Sequence, residues 1–186
     1  MPLEKAPLVD SPPIYTINLS KPPIERYQEI ALDFRDEIRS LTSLFDEVVS
    51  GFGIKYVNRV HQAARLLLQR LHNYEENEDL RGISKVTGVE MYLLVAFNTL
   101  LDLFMGCTSG GVRVAGEGGK ADRMVHFRML DWGMDALRKV VVQLEFVGKP
   151  GGPVVVRSVT YVGFVGVLTG VRYYQIFLFL FSYSLT

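Results

Sequence analysis

The apolar residues of this chain change their spacing at Cys107, its only cysteine, and this change constrains the fold more than any other feature of the sequence. Before Cys107, apolar residues recur every three or four positions, which is typical of one face of a helix. After it, short runs of β-branched residues alternate with glycine-rich segments, which is typical of strands and turns. The sequence therefore predicts an α+β fold, with a helical N-terminal segment followed by strands.

The N-terminal part is predicted to contain one short strand and several helices. The segment from Ile14 to Leu19 is rich in β-branched and aromatic residues and predicts a strand. Pro22-Pro23 then favour a helix start, and an apolar stripe from Ile24 to Val49 predicts a long helix. A second stripe, from Val57 to Leu71, predicts another helix. We interpret the acidic run Glu75–Asp79 that follows as a solvated connection.

The segment from Glu90 to Phe104 is apolar on nearly every side, which predicts a buried helix. Its fifteen residues are fewer than the ~20 that a membrane span needs. After Cys107 we expect a four-stranded sheet whose neighbouring strands are consecutive along the chain. The expected strands are residues 108–114, 124–129, 140–147 and 154–162.

The composition argues against several classes of function. Twenty basic and twenty acidic side chains cancel, so no net charge favours nucleic acid as a partner. One cysteine cannot form an intrachain disulfide, and His61, His72 and His126 lack the spacing of metal ligands. The glycines around Lys120 do not match a phosphate-binding loop. We therefore expect no metal and no cofactor, and a lone cysteine such as Cys107 is by itself most simply a small buried apolar residue.

Four short elements change the interpretation of Cys107. They are Pro13–Leu19 with Pro22-Pro23 and Arg26, Gly106–Ser109, Arg128–Asp131, and Tyr161–Gly170. In this order they resemble the opening segment, the cleavage and nucleophile site, the Arg-x-x-Asp element and the glycine-rich turn of the acid ceramidase and N-acylethanolamine acid amidase family.

The resemblance implies an amide hydrolase of N-acyl lipids with an αββα N-terminal-nucleophile sandwich, made as a precursor that cuts itself before the nucleophile. The cut would fall between Gly106 and Cys107. It would divide the chain into a helical α-subunit-like segment, residues 1–106, and the start of a β-subunit-like catalytic segment, residues 107–172. The partners implied are an N-acyl lipid substrate, either ceramide or an N-acylethanolamine, and the α and β segments of the same precursor.

The resemblance also implies roles for three residues. Cys107 would be the nucleophile, and its freed α-amine would take the thiol proton, since their reference pKa values of ~8.5 and ~8 lie close together. Arg128 would lie beside the thiol, favour the thiolate and orient the acyl carbonyl. Asp131 would accept a hydrogen bond from the α-amine. Without the resemblance, the simplest interpretation is an exposed Arg128 and an Asp131 at a strand-to-turn transition.

The apolar tail, residues 173–186, resembles no part of the family. The family's β segment is much longer than the 80 residues from Cys107 onward and contains a later asparagine that completes the oxyanion hole. The resemblance therefore implies a C-terminally truncated member that lacks an oxyanion donor and has little or no amidase activity. The alternative is a non-catalytic, tail-inserted, membrane-associated helical protein, for which a tail of fourteen residues is short. Weak contact with a membrane surface is a further expectation from this tail. Members of the family are lysosomal, whereas residues 1–13 contain no apolar run of signal-peptide length, so the sequence indicates no compartment.

Overall fold

Helices precede Cys107 and strands follow it, apart from an N-terminal strand and one short late helix. A computed structural model describes residues 11–51, 53, 56–103, 107–116, 122–130, 135–167, 170–172 and 175–177. The mixture of helix and sheet confirms the predicted α+β class. The αββα sandwich that the resemblance implies remains an expectation.

One five-stranded sheet contains the N-terminal strand together with strands from the end of the chain. The N-terminal strand pairs in parallel with the fourth strand, with Ile14 opposite Gln143 and Asn18 opposite Val147. The remaining neighbours are antiparallel. In sheet order the strands are β1 (Ile14–Asn18), β4 (Val141–Val147), β5 (Val154–Tyr161), β6 (Gly170–Arg172) and β7 (Gln175–Phe177).

The prediction of one sheet of four consecutive strands is wrong. The strands β2 (Cys107–Val114) and β3 (Arg123–Leu130) form a separate antiparallel ribbon of two strands. The strand positions were predicted well, but β4 pairs with β1 on one side and β5 on the other, so β3 is not its neighbour. The pattern of apolar residues identifies a strand, whereas the choice of partner depends on contacts that are remote in sequence.

The long stripe from Ile24 to Val49 forms a bent series of helices rather than one straight helix. The series consists of α1 (Pro23–Arg26), α2 (Gln28–Asp33), α3 (Arg35–Ser40) and α4 (Thr42–Gly51). Tyr27 and Phe34, at the first two breaks, have ψ angles of 3° and 26°, outside the helical range. Hydrogen bonds of helical spacing continue across the breaks, for example from Ala31 N–H to Tyr27 C=O at 3.0 Å. The apolar stripe therefore stays on one side while the helix axis bends around the core.

The acidic run Glu75–Asp79 is helical, so its interpretation as a solvated connection is wrong. It lies in α6 (Tyr74–Thr87), which begins after an Asn73 side chain that accepts a hydrogen bond from Glu75 N–H at 2.9 Å. Carboxylates in the first turn are favoured by the positive end of the helix dipole. The helix ends at Gly88, whose φ of +77° is a left-handed conformation that suits glycine.

The two other long helices agree with their predictions. They are α5 (Val57–Leu67) and α7 (Met91–Leu103). The described side chains of α7, from Met91 to Leu100, are all buried or half-buried, as an apolar helix at the centre of the fold should be. Over the described part of the chain, none of the helices combines the length and the apolar character needed to cross a membrane.

A single apolar core joins the sheet to the helices. The core unites buried residues of β1 and β4 with buried residues of α2, α3, α4, α6 and α7. The short helix α8 (Asp135–Arg138) contributes Leu137 to the same core. Among the most deeply buried members are Ile17, Ile30, Leu80, Ile83, Val95, Val142, Leu144 and Phe146.

The tail, residues 173–186, contributes one described strand. Residues 175–177 form β7, which pairs with β6 so that Val171 lies opposite Ile176. The rest of the tail lies outside the described residues.

Candidate active site

Cys107 lies at a junction between helix and strand. The buried helix α7 ends at Leu103, and Cys107 is the first residue of β2. Gly106, the other partner of the predicted scissile bond, lies outside the described residues. The change of apolar pattern in the sequence therefore corresponds to a real change from helix to strand.

The β2–β3 ribbon brings Arg128 to the same end as Cys107. Cys107 is paired with Leu130, and Ser109 is paired with Arg128. Directly opposed residues in an antiparallel pair, and residues two positions apart on one strand, share a face of the ribbon. Positions 107 and 128 are therefore diagonal neighbours on one face, a relation that usually separates residues by about 7–8 Å. Asp131 directly follows β3 and lies outside the described residues.

The other end of the ribbon is held by polar contacts and by one close approach. Arg113 Nη2 lies 2.8 Å from Asp122 Oδ2, and Gly116 N–H donates to Asp122 Oδ1 at 3.2 Å. The ring of Phe127 covers Gly110, where a Cβ would come within 2.9 Å of the ring. Gly110 therefore allows carbon atoms at the edge of the Phe127 ring to lie close to the backbone of β2.

Asn98 connects α7 to the loop that follows β5. Its buried amide nitrogen donates to the carbonyl oxygens of Leu94 and Gly163, both at 2.9 Å. Its Oδ1 accepts a hydrogen bond from Val165 N–H at 3.1 Å. Gly163 has a φ of +91°, which suits glycine and turns its carbonyl toward the helix. The helix that leads to Cys107 is thus fixed against the glycine-rich turn of the fourth sequence element.

The beginning of α7 is held by side chains of the neighbouring helices. Arg65 on α5 donates two hydrogen bonds to Glu90, at 2.9 and 3.1 Å, and this contact lowers the pKa of the Glu90 carboxyl. His61 lies between Tyr92 Oη, at 2.8 Å, and Asp46 Oδ1, at 2.7 Å. Burial is the main cause that raises the pKa of Tyr92. These contacts give His61 a structural role.

Of the other two histidines, His72 is exposed, and the side chain of His126 lies outside the described part. Within the ranges that the structure describes, no three histidine, cysteine or acidic residues are grouped so that they could hold a metal ion.

A small apolar cavity of about 30 Å³ lies beside α7. Its walls come from the bent helix series, from α7 and from the loop after β5. They include Ile38, Leu44, Phe45, Leu94, Phe97 and Val162. The cavity is next to the contact between Asn98 and Gly163, so an apolar space adjoins the helix that leads to Cys107.

Comparison with known proteins agrees with the family resemblance. A family model described as the beta subunit of N-acylethanolamine-hydrolyzing acid amidase matches residues 10–72. Acid ceramidases from Rattus norvegicus and Heterocephalus glaber are 28% identical to the chain over 176 residues, and that from Homo sapiens is 27% identical. Each of these matches covers 86% of this chain but only 42–43% of the relative.

These similarities define a class of amidohydrolases. Within that class, the similarities support the acid ceramidase and N-acylethanolamine acid amidase family. It spans less than half the length of the acid ceramidases that it matches. The matching family model is described as a subunit, which agrees with a protein built from two segments. The residues that it matches, 10–72, lie within the α-subunit-like segment, residues 1–106.

Proposed function

We propose that the chain carries the nucleophile of an amide hydrolase that acts on N-acyl lipids, with Cys107 as the attacking residue. The observation that supports this most directly is the register of the ribbon, because Cys107 begins β2 and Arg128 is its diagonal neighbour on β3. Family membership supplies the class of reaction.

The first step would be self-cleavage between Gly106 and Cys107. The thiol sulfur adds to the Gly106 carbonyl carbon, the C–N bond breaks, and the released α-amine takes the thiol proton. Water then hydrolyses the thioester, which leaves a Gly106 carboxylate and a free thiol. Cys107 lies four residues after the end of a helix that is fixed at Glu90 and Asn98, and this would limit the movement of the thiol and of the carbonyl that it attacks.

In a form of the protein that also supplies an oxyanion donor, the same groups would then hydrolyse the substrate amide. The α-amine of Cys107 accepts the thiol proton, sulfur attacks the acyl carbonyl carbon, and the amide nitrogen leaves with that proton. Water hydrolyses the acyl-cysteine and regenerates the thiol. Arg128 would stabilise negative charge on sulfur or on the acyl oxygen, and Asp131 would orient the α-amine. The proposal covers both ceramide and N-acylethanolamine as substrates.

Intact-mass measurement of the purified chain tests the cleavage step. Two fragments that divide between residues 106 and 107 are expected, and Cys107→Ala should leave one uncut chain. Ser109→Ala, two residues further along β2, is the matched control and should still be cut. Arg128→Gln should slow the cut, whereas Arg113→Gln, which changes an exposed arginine of the same ribbon, should not.

Two results would overturn the proposal. One is cleavage of Cys107→Ala at the wild-type rate. The other is hydrolysis of a fluorogenic N-acyl amide by a chain that is still uncut.

A further inference from the structure

Helix α6 buries the carboxyl group of Asp79, and one oxygen of this group lacks a hydrogen-bond partner among the described residues. The Asp79 residue is only 5% exposed. Its Oδ1 accepts no hydrogen bond from the part of the chain that the structure describes. A carboxylate that is buried and lacks a hydrogen bond is much less stable than one in water, whereas a protonated carboxyl avoids most of that cost.

The charged groups around Asp79 do not compensate for its burial. Arg26 on α1 is the nearby cation, but three of its five N–H donors are engaged elsewhere. It bonds to Glu75 Oε2 at 2.7 Å and to the carbonyl oxygens of Leu19 and Lys21, both at 3.0 Å. Glu75, Glu76 and Glu78, on the same helix as Asp79, add negative charge. The guanidinium of Arg26 is therefore an incomplete partner for a second carboxylate.

The remaining surroundings of Asp79 are mostly apolar. A cavity of about 30 Å³ lies between α1, α6 and the sheet, with Asp79 in its wall. Phe146 of β4 and Val165 and Val167 of the loop after β5 form its far side. The phenol of buried Tyr27 points to Val165 C=O, at 3.4 Å. A space of this size has room for about two water molecules at most.

Burial is the largest cause that raises the pKa of Asp79, to about 7, and the glutamates of α6 add to it while Arg26 opposes it. This direction agrees with the geometry, in which Oδ1 is enclosed and unpaired.

We propose that Asp79 is a protonation switch that holds α6 against the sheet in acid and weakens this contact toward neutral pH. In acid the carboxyl keeps its proton and is tolerated among apolar groups. As the pH rises, the proton leaves for solvent and a charge remains in the wall of the cavity. The charge favours opening of the layer between α6 and the loop after β5. The inference depends on the packing of α6 and not on the proposed amidase activity.

The sign of the pH dependence follows from the two states of the chain. Asp79 titrates at about 7 in the folded chain against an ordinary value of 3.8. Between these values the folded chain holds a proton that the unfolded chain has released, so stability falls as the pH rises. The full interval would change the folding equilibrium constant by up to about 10³-fold, and the effect is complete above about pH 7.

Thermal unfolding of the full chain between pH 4.5 and pH 8 tests the switch. The wild-type Tm should fall over this range. The amide of Asp79→Asn imitates the neutral carboxyl, so its Tm should change much less and should exceed the wild-type Tm increasingly toward pH 8. Asp36→Asn is the matched control because the Asp36 side chain is 93% exposed, and its curve should follow that of the wild type. The remaining ionisable groups are common to all three chains, so their effects on Tm cancel in the comparison.

A direct titration keeps the inference testable if Asp79→Asn does not fold. The carbon resonance of the Asp79 carboxyl in the wild-type chain should titrate with a midpoint far above the ordinary range of an aspartate, ~4. A midpoint for Asp79 near ~4, the ordinary range, would overturn the proposal. Parallel Tm curves for wild type and a folded Asp79→Asn would overturn it as well.

Discussion

A single amide side chain does much to fix the helix that leads to Cys107. Asn98 is buried, and its three hydrogen bonds join one turn of α7 to Gly163 and Val165. A polar group in this position stabilises the fold only while its partners are present, because each would otherwise be buried without a hydrogen bond.

We expect Asn98→Leu to destabilise the chain by about 2–4 kcal/mol. Leucine has a similar shape, but it leaves Val165 N–H and Gly163 C=O without their partner, at about 1–3 kcal/mol for each buried group. Urea unfolding followed by circular dichroism measures the difference. Asn58→Leu, at an exposed position of α5, is the control and should change stability by less than about 0.5 kcal/mol. Equal effects of the two substitutions would show that the three hydrogen bonds contribute little.

The sequence shows that buried polar residues such as Asn98 are present, but it does not show which groups they contact in the fold. Asn98 is visible as a polar residue in an apolar helix, but nothing near it indicates Gly163, which lies beyond four further strands. Asp79 is hidden in an acidic run whose other members are more exposed. The roles of Cys107, Arg128 and Asp131 remain proposals, and the register supports them by bringing positions 107 and 128 together.

At the scale of elements, α1 and α6 cross at very close range. Gly82 lies on α6 against the backbone of Ile24 on α1. A Cβ at Gly82 would overlap the carbonyl oxygen of Ile24 and come within 2.8 Å of its carbonyl carbon. Only glycine allows this approach, because backbone atoms cannot move aside as a flexible side chain can.

Gly82→Ala should therefore destabilise the chain, by about 1–3 kcal/mol, although alanine favours an isolated helix by up to about 1 kcal/mol. Gly51→Ala at the end of α4 is the matched control, since a Cβ there meets no atom within 4 Å. It should be neutral or slightly stabilising. Chemical denaturation of both variants and of the wild type measures the differences in the free energy of unfolding. A Gly82→Ala variant more stable than the wild type would mean that α1 and α6 separate easily.

The limits of sequence-based prediction at this scale have two physical origins. For α6, the capping residue Asn73 and the terminal Gly88 are local signals of a helix. The first turns contain few apolar residues, however, so their run of carboxylates resembles an exposed loop. For the sheet, no local signal exists, because the register of β4 against β1 is set by burial of Ile17 and Phe146 in a shared core.

At the scale of the whole molecule, one core connects β1, β4 and β5 to most of the helices. Its buried members come from β1, from most of the helices, from β4 and from the loop after β5. A core that crosses the chain in this way cannot be lost in one part without exposing apolar surface in the others.

We therefore expect the chain to unfold in one step. In a urea titration, far-ultraviolet circular dichroism reports helix and strand, and near-ultraviolet circular dichroism reports the packing of tyrosines such as Tyr27 and Tyr92. The two signals should give the same midpoint and slope. Two separate transitions would contradict a common core and would indicate that the helical part and the sheet unfold independently.

The parallel pairing of β1 with β4 also decides what a break at Gly106–Cys107 would leave behind. Strand β1 would belong to one polypeptide and its neighbour β4 to the other. The product would therefore be a heterodimer whose two chains share one sheet. The first polypeptide would then be no detachable pro-peptide, because its departure would uncover an edge of the sheet and the apolar face of the second. The fold would then depend on the association of two polypeptides, so its apparent stability would fall as the protein is diluted.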